Sequence, residues 1–312
     1  PTGDGALSLM LLWHRDPHPL TPANSTALMQ LLAGDAVAGV QLGAQISRWN
    51  YWGRGDVVAC GTPQPHAGAW ATGSLILYGQ RHCSPSELKA LASHGRPRLT
   101  RRGSVMGPAD DVAALWPYLV QRHLAVRQAR WTQHLLVAPP AGQVAQTLAA
   151  ASRSCADELA VAAASQSQAA QVGMEPLVLP AAVAMFKEEV GFDPLSSGSG
   201  YGRHISQLIE QGRSYVLLDD GAGHLGNTQV AFKADVGSLW NSVAQITGVW
   251  TRPDLRGRGL AKVALGRVLA LIYAQHQVSQ INLYVNDFNV AALGLYKSLG
   301  FTQVGTMSTV LL

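Results

Sequence analysis

Apolar and polar positions alternate most clearly in the last third of the chain. Residues 243–251, Val-Ala-Gln-Ile-Thr-Gly-Val-Trp-Thr, form a β-rich run, and Pro253-Asp254 then turns the backbone. Beyond a short glycine-bearing stretch, Leu260, Val263, Ala264, Val268, Leu271 and Ile272 recur at helical spacing, with Lys262, Arg267 and Gln275 off that stripe. The pattern therefore predicts strand, loop and helix, with Gly257 and Gly259 at the junction. Upstream, residues 180–190 and 203–211 read as helices, the second stopped by Gly212, and 214–218 and 229–236 as strands joined by a glycine-rich turn. Downstream, 281–285 reads as a further strand.

The first half is patterned less sharply. An apolar run at 7–13 suits an edge strand, 25–32 a short helix ending at Gly34, and 40–46 a second element. Gly53-Arg54-Gly55 reads as a turn leading into a β-like run at 56–60, and 69–78 as one strand. Ser84-Pro85-Ser86-Glu87 opens a capped helix over 84–92, and further helices are expected at 112–119 and 121–130. Residues 138–172 change character: Ala, Gln and Ser dominate, Pro139-Pro140 opens the stretch and aromatics are absent. This composition suggests a partly helical linker. The expected organisation is thus an amino-terminal domain at 1–140, a linker at 141–173 and a carboxy-terminal domain at 174–312.

Composition narrows the class. The chain has 312 residues, 47% hydrophobic and 13% charged, enough for two domains with their own cores and too apolar for a disordered protein. A formal charge of +4 suits a polyanionic ligand without demanding nucleic acid. Arg96, Arg98, Arg101 and Arg102 make a basic segment, but no stacking aromatics are interleaved with them, so a solvated loop is expected there. Cys60, Cys83 and Cys155 are too scattered for a disulfide framework, which points to a reducing cytoplasm. Run 7–13 lacks the flanks of a secretory signal, and 260–274 carries Lys262 and Arg267, so neither targeting to the secretory route nor membrane insertion is expected. No metal site is expected: His14 and His18 are four apart, but Pro17 between them argues against a shared helix face.

The glycine junction carries the chemistry. A helix begins with unpaired N–H groups and the positive end of its dipole, which together hold a phosphate or diphosphate. Gly257 and Gly259 allow close approach of the backbone, and Arg256 and Arg258 add charge.

These residues also resemble a known family. Arg256-Gly257-Arg258-Gly259-Leu260-Ala261 is similar to the Q/R-x-x-G-x-G/A loop that binds the acetyl-coenzyme A pyrophosphate in GNAT N-acetyltransferases. Asn289, Ala292, Tyr296, Gly300 and Phe301 follow that superfamily's closing pattern, N-x-x-A-x-x-x-Y-x-x-x-G-F. The resemblance implies an α/β (α+β) carboxy-terminal domain with a mixed, mostly antiparallel sheet flanked by helices. It implies transfer of acetyl from acetyl-coenzyme A, as cosubstrate, to a primary amine acceptor. Arg102 to Pro108, Leu115-Trp116, Met185 to Val190, Phe232 to Asp235 and Leu283 to Asn286 further resemble an actinobacterial group of two-domain GNAT proteins. Their amino-terminal half is a domain of unknown function, compatible with a degenerate GNAT-like copy.

Roles follow from that likeness residue by residue. Val249 and Thr251 are expected to pair with the pantetheine arm, and Arg256, Gly257, Arg258, Gly259, Leu260 and Ala261 to hold the pyrophosphate. Asn289 suits a helix cap or a coenzyme A contact. Tyr296 is the expected proton donor to the departing thiolate, since a phenol stays protonated at neutral pH. An ordinary core tyrosine is the competing reading. The base is harder to place: relatives often carry a Glu on the fourth strand, where this chain has Gln245 and Thr247. Glu188 and Glu189 are the candidates, with Asp235 behind them, against the reading that they are solvated acids. Two other functions stay open: a coenzyme A-binding regulator without turnover, and an interaction module using the first domain. The acceptor's identity and association into a homo-oligomer are left open by the sequence.

Overall fold

The computed structural model describes residues 17–48, 52–120, 124–153, 156–220 and 228–312. Two compact units emerge: one holds the described residues up to 135 together with 284–288 and 304–312, the other 136–283 and 289–303. The expected run at 7–13, His14 and Cys155 lie outside the described residues.

The first unit starts with strand β1 (His18–Pro19) and helices α1 (Thr26–Gly34) and α2 (Ala36–Ser47). Asp35, between the helices, caps α2 by accepting from the Ala38 N–H at 3.2 Å. Strands β2 (Val57–Cys60), β3 (Ala67–Thr72) and β4 (Ser74–Tyr78) follow. The single strand expected over 69–78 is instead a hairpin. Gly73, at φ 75°, turns the chain so that Thr72 pairs with Ser74 and Ala71 with Leu75. Helix α3 (Pro85–Gly95) opens on the expected capping box: Glu87 Oε2 accepts from the Ser84 N–H at 2.7 Å.

Strand β5 (Ser104–Pro108) and helix α4 (Ala109–Leu119) come next, then strand β6 (Gln128–Val137). The helix expected over 121–130 is not what the chain forms: 121–123 lie outside the described residues, and from Gln128 onward the backbone is a strand. Tertiary partners override local propensity here, because Ser308 donates to the Trp131 carbonyl and Thr309 to Gln133 Oε1. The basic segment is partly structural. Arg96 donates to the Tyr118 carbonyl at 2.7 Å and the Leu119 carbonyl at 3.4 Å, closing the end of α4.

In the second unit, α5 (Ala141–Arg153) and α6 (Glu158–Gln166) occupy the stretch expected as linker. Strand β7 (Gln168–Ala169) and helices α7 (Glu175–Val190) and α8 (Gly200–Glu210) precede strands β8 (Ser214–Asp219), β9 (Gln229–Trp240) and β10 (Val243–Thr251). Helix α9 (Leu260–His276), strand β11 (Gln280–Asn286), helix α10 (Val290–Ser298) and strand β12 (Thr302–Leu311) complete the chain. Strand order in this unit is β11-β10-β9-β8-β7, antiparallel except where β10 meets β11. The sheet is therefore mixed and mostly antiparallel, flanked by helices.

The stretch read as a partly helical linker packs within the second unit. Helix α9 is buried around most of its circumference (Leu260, Val263, Ala264, Leu265, Val268, Leu269, Ile272), one side on the sheet and the other against α5 and α6. The approach is close: a Cβ on Gly266 would lie 3.3 Å from Leu148 Cδ1. The alanine-rich sequence of α5 and α6 is what such an approach requires, and weak patterning hid it.

The last strand has no counterpart in the sequence reading. Residues 307–311 of β12 pair antiparallel with β5 in the first unit. There Val310 and Leu312 join Leu75, Leu77, Val105, Leu88, Leu91, Val112, Leu115 and Leu119 in one core. Among the described residues no helix is long and apolar enough to cross a membrane. Deleting residues 304–312 is expected to strip β5 of this partner, so that amides of β5 and α4 lose exchange protection by mass spectrometry; unchanged protection would contradict the pairing.

Candidate functional site

Every residue singled out for acyl transfer lies in the second unit. Its centre is the course of β10. Residues 243–245 pair with 280–282 of β11, and there the parallel register ends. On its other edge β10 stays with β9 as far as Thr251, opposite Phe232, but slips register after Gln245 and again between Thr247 and Trp250. The second slip is a bulge at Gly248, which sits at φ 59°. A Cβ there would also lie 3.1 Å from Asp235 Oδ2 and 3.1 Å from Met185 Cε, so conformation and space both call for glycine. Freed from β11, the far half of β10, including Val249 and Thr251, presents peptide groups along one edge. The Thr251 carbonyl accepts from Arg256 Nε at 2.9 Å.

A single 3-10 turn, Pro253–Leu255, leads from β10 to the loop. Gly257 and Gly259 adopt φ 76° and 83°, and a Cβ on Gly257 would meet nothing within 4 Å. Gly259 is the N-cap of α9 and offers no side chain to the first turn. Among the described residues, no protein atom accepts from the N–H groups of Gly257, Gly259, Leu260 or Ala261. The buried Leu260 side chain anchors the turn.

Both arginines are paired with carboxylates. Arg256 meets Glu188 Oε2 at 2.6 Å, and Arg258 Nε meets Asp157 Oδ2 at 2.6 Å. Asp157 also caps α6, and the Ala160 amide together with Arg258 holds its carboxyl below the usual range against the opposing effect of desolvation. So the two cations of the loop are paired with carboxylates from outside it.

Glu188 is held from two sides. It accepts from Trp250 Nε1 at 3.0 Å as well as from Arg256, tying the end of α7 to β10 and the loop. Glu189, exposed on the next position, acts on Tyr296 through its charge. Tyr296 lies on α10, 6% exposed, its ring 5.4 Å from that of Phe301 between centroids. Burial raises its phenol well above the ordinary range and Glu189 adds to this; no described residue hydrogen-bonds its hydroxyl. Asn289 Oδ1 accepts from the Ala292 N–H at 3.2 Å, the geometry of a helix cap.

Sequence reasoning undervalued one pair and missed a tyrosine. Lys233 is fully buried, its Nζ 2.5 Å from Asp235 Oδ2, and Ser214 donates to Asp235 Oδ1 at 2.8 Å. Lys233 Nζ also lies 3.5 Å from the carbonyl of the bulge residue, Gly248. The signal was present: opposite charges two apart on a strand share a face, and here the run around them is apolar. Asp235 is thus a partner for lysine. Tyr201 donates to the Ala182 carbonyl at 3.0 Å, and burial, then Asp235 and Glu189, push its phenol up as well.

Residues 184–301 match the model of the acetyltransferase (GNAT) family, and residues 52–160 match a domain of unknown function, DUF4081. Among solved structures, a GCN5-related N-acetyltransferase from Sphaerobacter thermophilus is 15% identical with a TM-score of 0.54, the match covering 94% of each chain. A Drosophila protein gives a TM-score of 0.60 at 10% identity over 95% of this chain and 99% of its own. A tandem GNAT protein from the clavulanic acid biosynthesis pathway gives 0.52 at 11% identity over 94% and 97%. At such identities the likeness is one of fold.

Two measurements follow. Lys233→Met leaves Asp235 buried without its cation and is expected to cost about 3–5 kcal/mol in chemical denaturation, most of it recovered in Lys233→Met/Asp235→Leu; a neutral single variant would contradict the buried pair. For Tyr296, the folded state favours the protonated phenol, so ionisation of the unfolded chain above pH ~10 lowers stability. Tyr296→Phe should make that alkaline loss shallower between about pH 9 and 11, and an unchanged slope would contradict its burial.

Proposed function

We propose, from the match of residues 184–301 to the acetyltransferase (GNAT) family model, that the protein moves an acetyl group from acetyl-coenzyme A to a primary amine by direct attack. The observation that carries this reading is the set of unspent amides at Gly257, Gly259, Leu260 and Ala261, with open space over Gly257. A diphosphate is the anion such a helix start fits, since it takes several N–H donors at once and gains from the dipole. The free edge of β10 supports the same ligand, because an extended arm with amide groups can pair with Val249 and Thr251 as an added strand would.

Acetyl-coenzyme A, when bound, supplies the activated thioester. Tyr296 holds a proton at its hydroxyl for the departing thiolate, and the burial that raises its phenol keeps that proton in place across neutral pH. Glu189, whose charge reaches Tyr296, takes the amine's proton, directly or through water. Glu188, bonded to Trp250 and Arg256, positions the loop. Arg256, Arg258 and Asn289 support the cofactor from the sides of its site. A reaction of this kind fits the cytoplasm, where acetyl-coenzyme A and reduced thiols coexist.

One observation favours a second reading, a coenzyme A-binding regulator without turnover: β10 carries Gln245 and Thr247 where a base would be convenient, and Glu188 is already engaged. The interaction-module reading is weakened by Arg96 and Arg98, whose guanidiniums close backbone carbonyls of their own unit. Acetyl-coenzyme A is expected to raise the melting temperature, and Gly259→Glu to abolish that shift; no shift in the parent protein would sink both cofactor readings. On a panel of amines, Tyr296→Phe should lower kcat about 10²–10⁴-fold while the thermal shift survives, whereas a parent protein that binds and never turns over would leave the regulator.

A further inference from the structure

The first unit holds a constellation that acyl transfer does not use. His66 lies just before β3, Cys83 just before the N-cap of α3, and Glu87 in the first turn of that helix. Seventeen positions separate the first from the second, so no spacing in the sequence announces them. In the fold, one ligand atom from each comes within 4.8 Å of the others.

We propose that His66, Cys83 and Glu87 bind a divalent transition-metal ion, with Zn²⁺ the best match. The donor set is the first reason. Imidazole, thiolate and carboxylate together suit a borderline ion, and one thiolate with one carboxylate neutralises a 2+ charge. His66 Nε2 is the second. It is shut off from solvent and makes no hydrogen bond, although Glu87 Oε1 lies 3.2 Å away, because the alignment a ring N–H needs is not met. A buried ring nitrogen facing a carboxylate without bonding it requires an explanation. Two ligands at tetrahedral angles on zinc lie about 3.3 Å apart, the spacing found here.

The supporting residues are the third reason. Glu87 divides its oxygens: Oε2 accepts from the Ser84 N–H and Oγ, each at 2.7 Å, leaving Oε1 turned to His66. This is how an outer partner orients a ligand. The His66 ring is held against Gly61, where a Cβ would come within 2.5 Å of Nδ1, and its backbone N–H donates to the Cys60 carbonyl at 2.9 Å. Cys83 is a free thiol. On binding, the sulfur–hydrogen bond is replaced by a sulfur–metal bond and one proton leaves to solvent. All three residues are half-buried, so a fourth position is open to water or a small anion.

The test titrates Co²⁺ into full-length, chelator-treated protein and follows absorption from thiolate ligation, which nitrogen and oxygen ligands alone do not produce. One equivalent should give the band, and Zn²⁺ should displace it. Cys83→Ser should abolish it, and His66→Gln should weaken the affinity at least about 10-fold. Glu87→Gln should do the same while keeping the helix, since Gln also completes a capping box. Circular dichroism shows that each variant is folded. No band, or a band that survives Cys83→Ser, overturns the proposal, and neither result touches the acetyl-coenzyme A thermal shift, which reports on the other unit.

Discussion

A helix cannot satisfy its own first amides, and the second unit is arranged around leaving those of α9 unsatisfied. An N-cap of Ser, Asp or Asn would have closed them, as Asp35, Asp157 and Asn289 do elsewhere in this chain. Gly259 does not. The fold bears this cost by burying α9 on several sides, between its sheet and the two alanine-rich helices, so that the open turn is carried by a rigid element. The same economy governs β10, which pairs on both edges through residue 245 and then leaves one edge exposed.

Charge is distributed to keep that corner in shape. Arg256 bridges Glu188 and the Thr251 carbonyl, and Arg258 bridges to the cap of α6, so each cation of the loop is anchored to a different element. Beneath, Lys233 and Asp235 sit against the Gly248 bulge. A pair so deeply buried adds little net stability over well-packed apolar residues. What it does is fix a geometry, since Lys233 reaches the bulge carbonyl while Ser214 holds the other carboxylate oxygen.

Much of this was legible because local and tertiary preferences agree. Strand β10 spans the residues its alternation suggested, and the loop glycines take the left-handed conformations that glycine alone adopts freely. Legibility ended where tertiary contacts decide. The stretch 128–137 is a strand because of partners some 170 residues away, and no local pattern carries that information. The helical character of α5 and α6 was legible but their packing was not, because small side chains needed for close approach leave no stripe. Glu188 was legible as an acid at the end of α7, but its engagement by Trp250 could not be read from spacing.

The return of β12 to the first unit bears on how the molecule is made. Residues 304–312 supply Val310 and Leu312 to a core whose other members lie within residues 58–119. On the ribosome, that half must wait, unfinished and with β5 lacking this partner, until the intervening second unit has been synthesised. The unit translated first is thus the one completed last, and a pairing separated by some two hundred residues makes its closure slow as well as late.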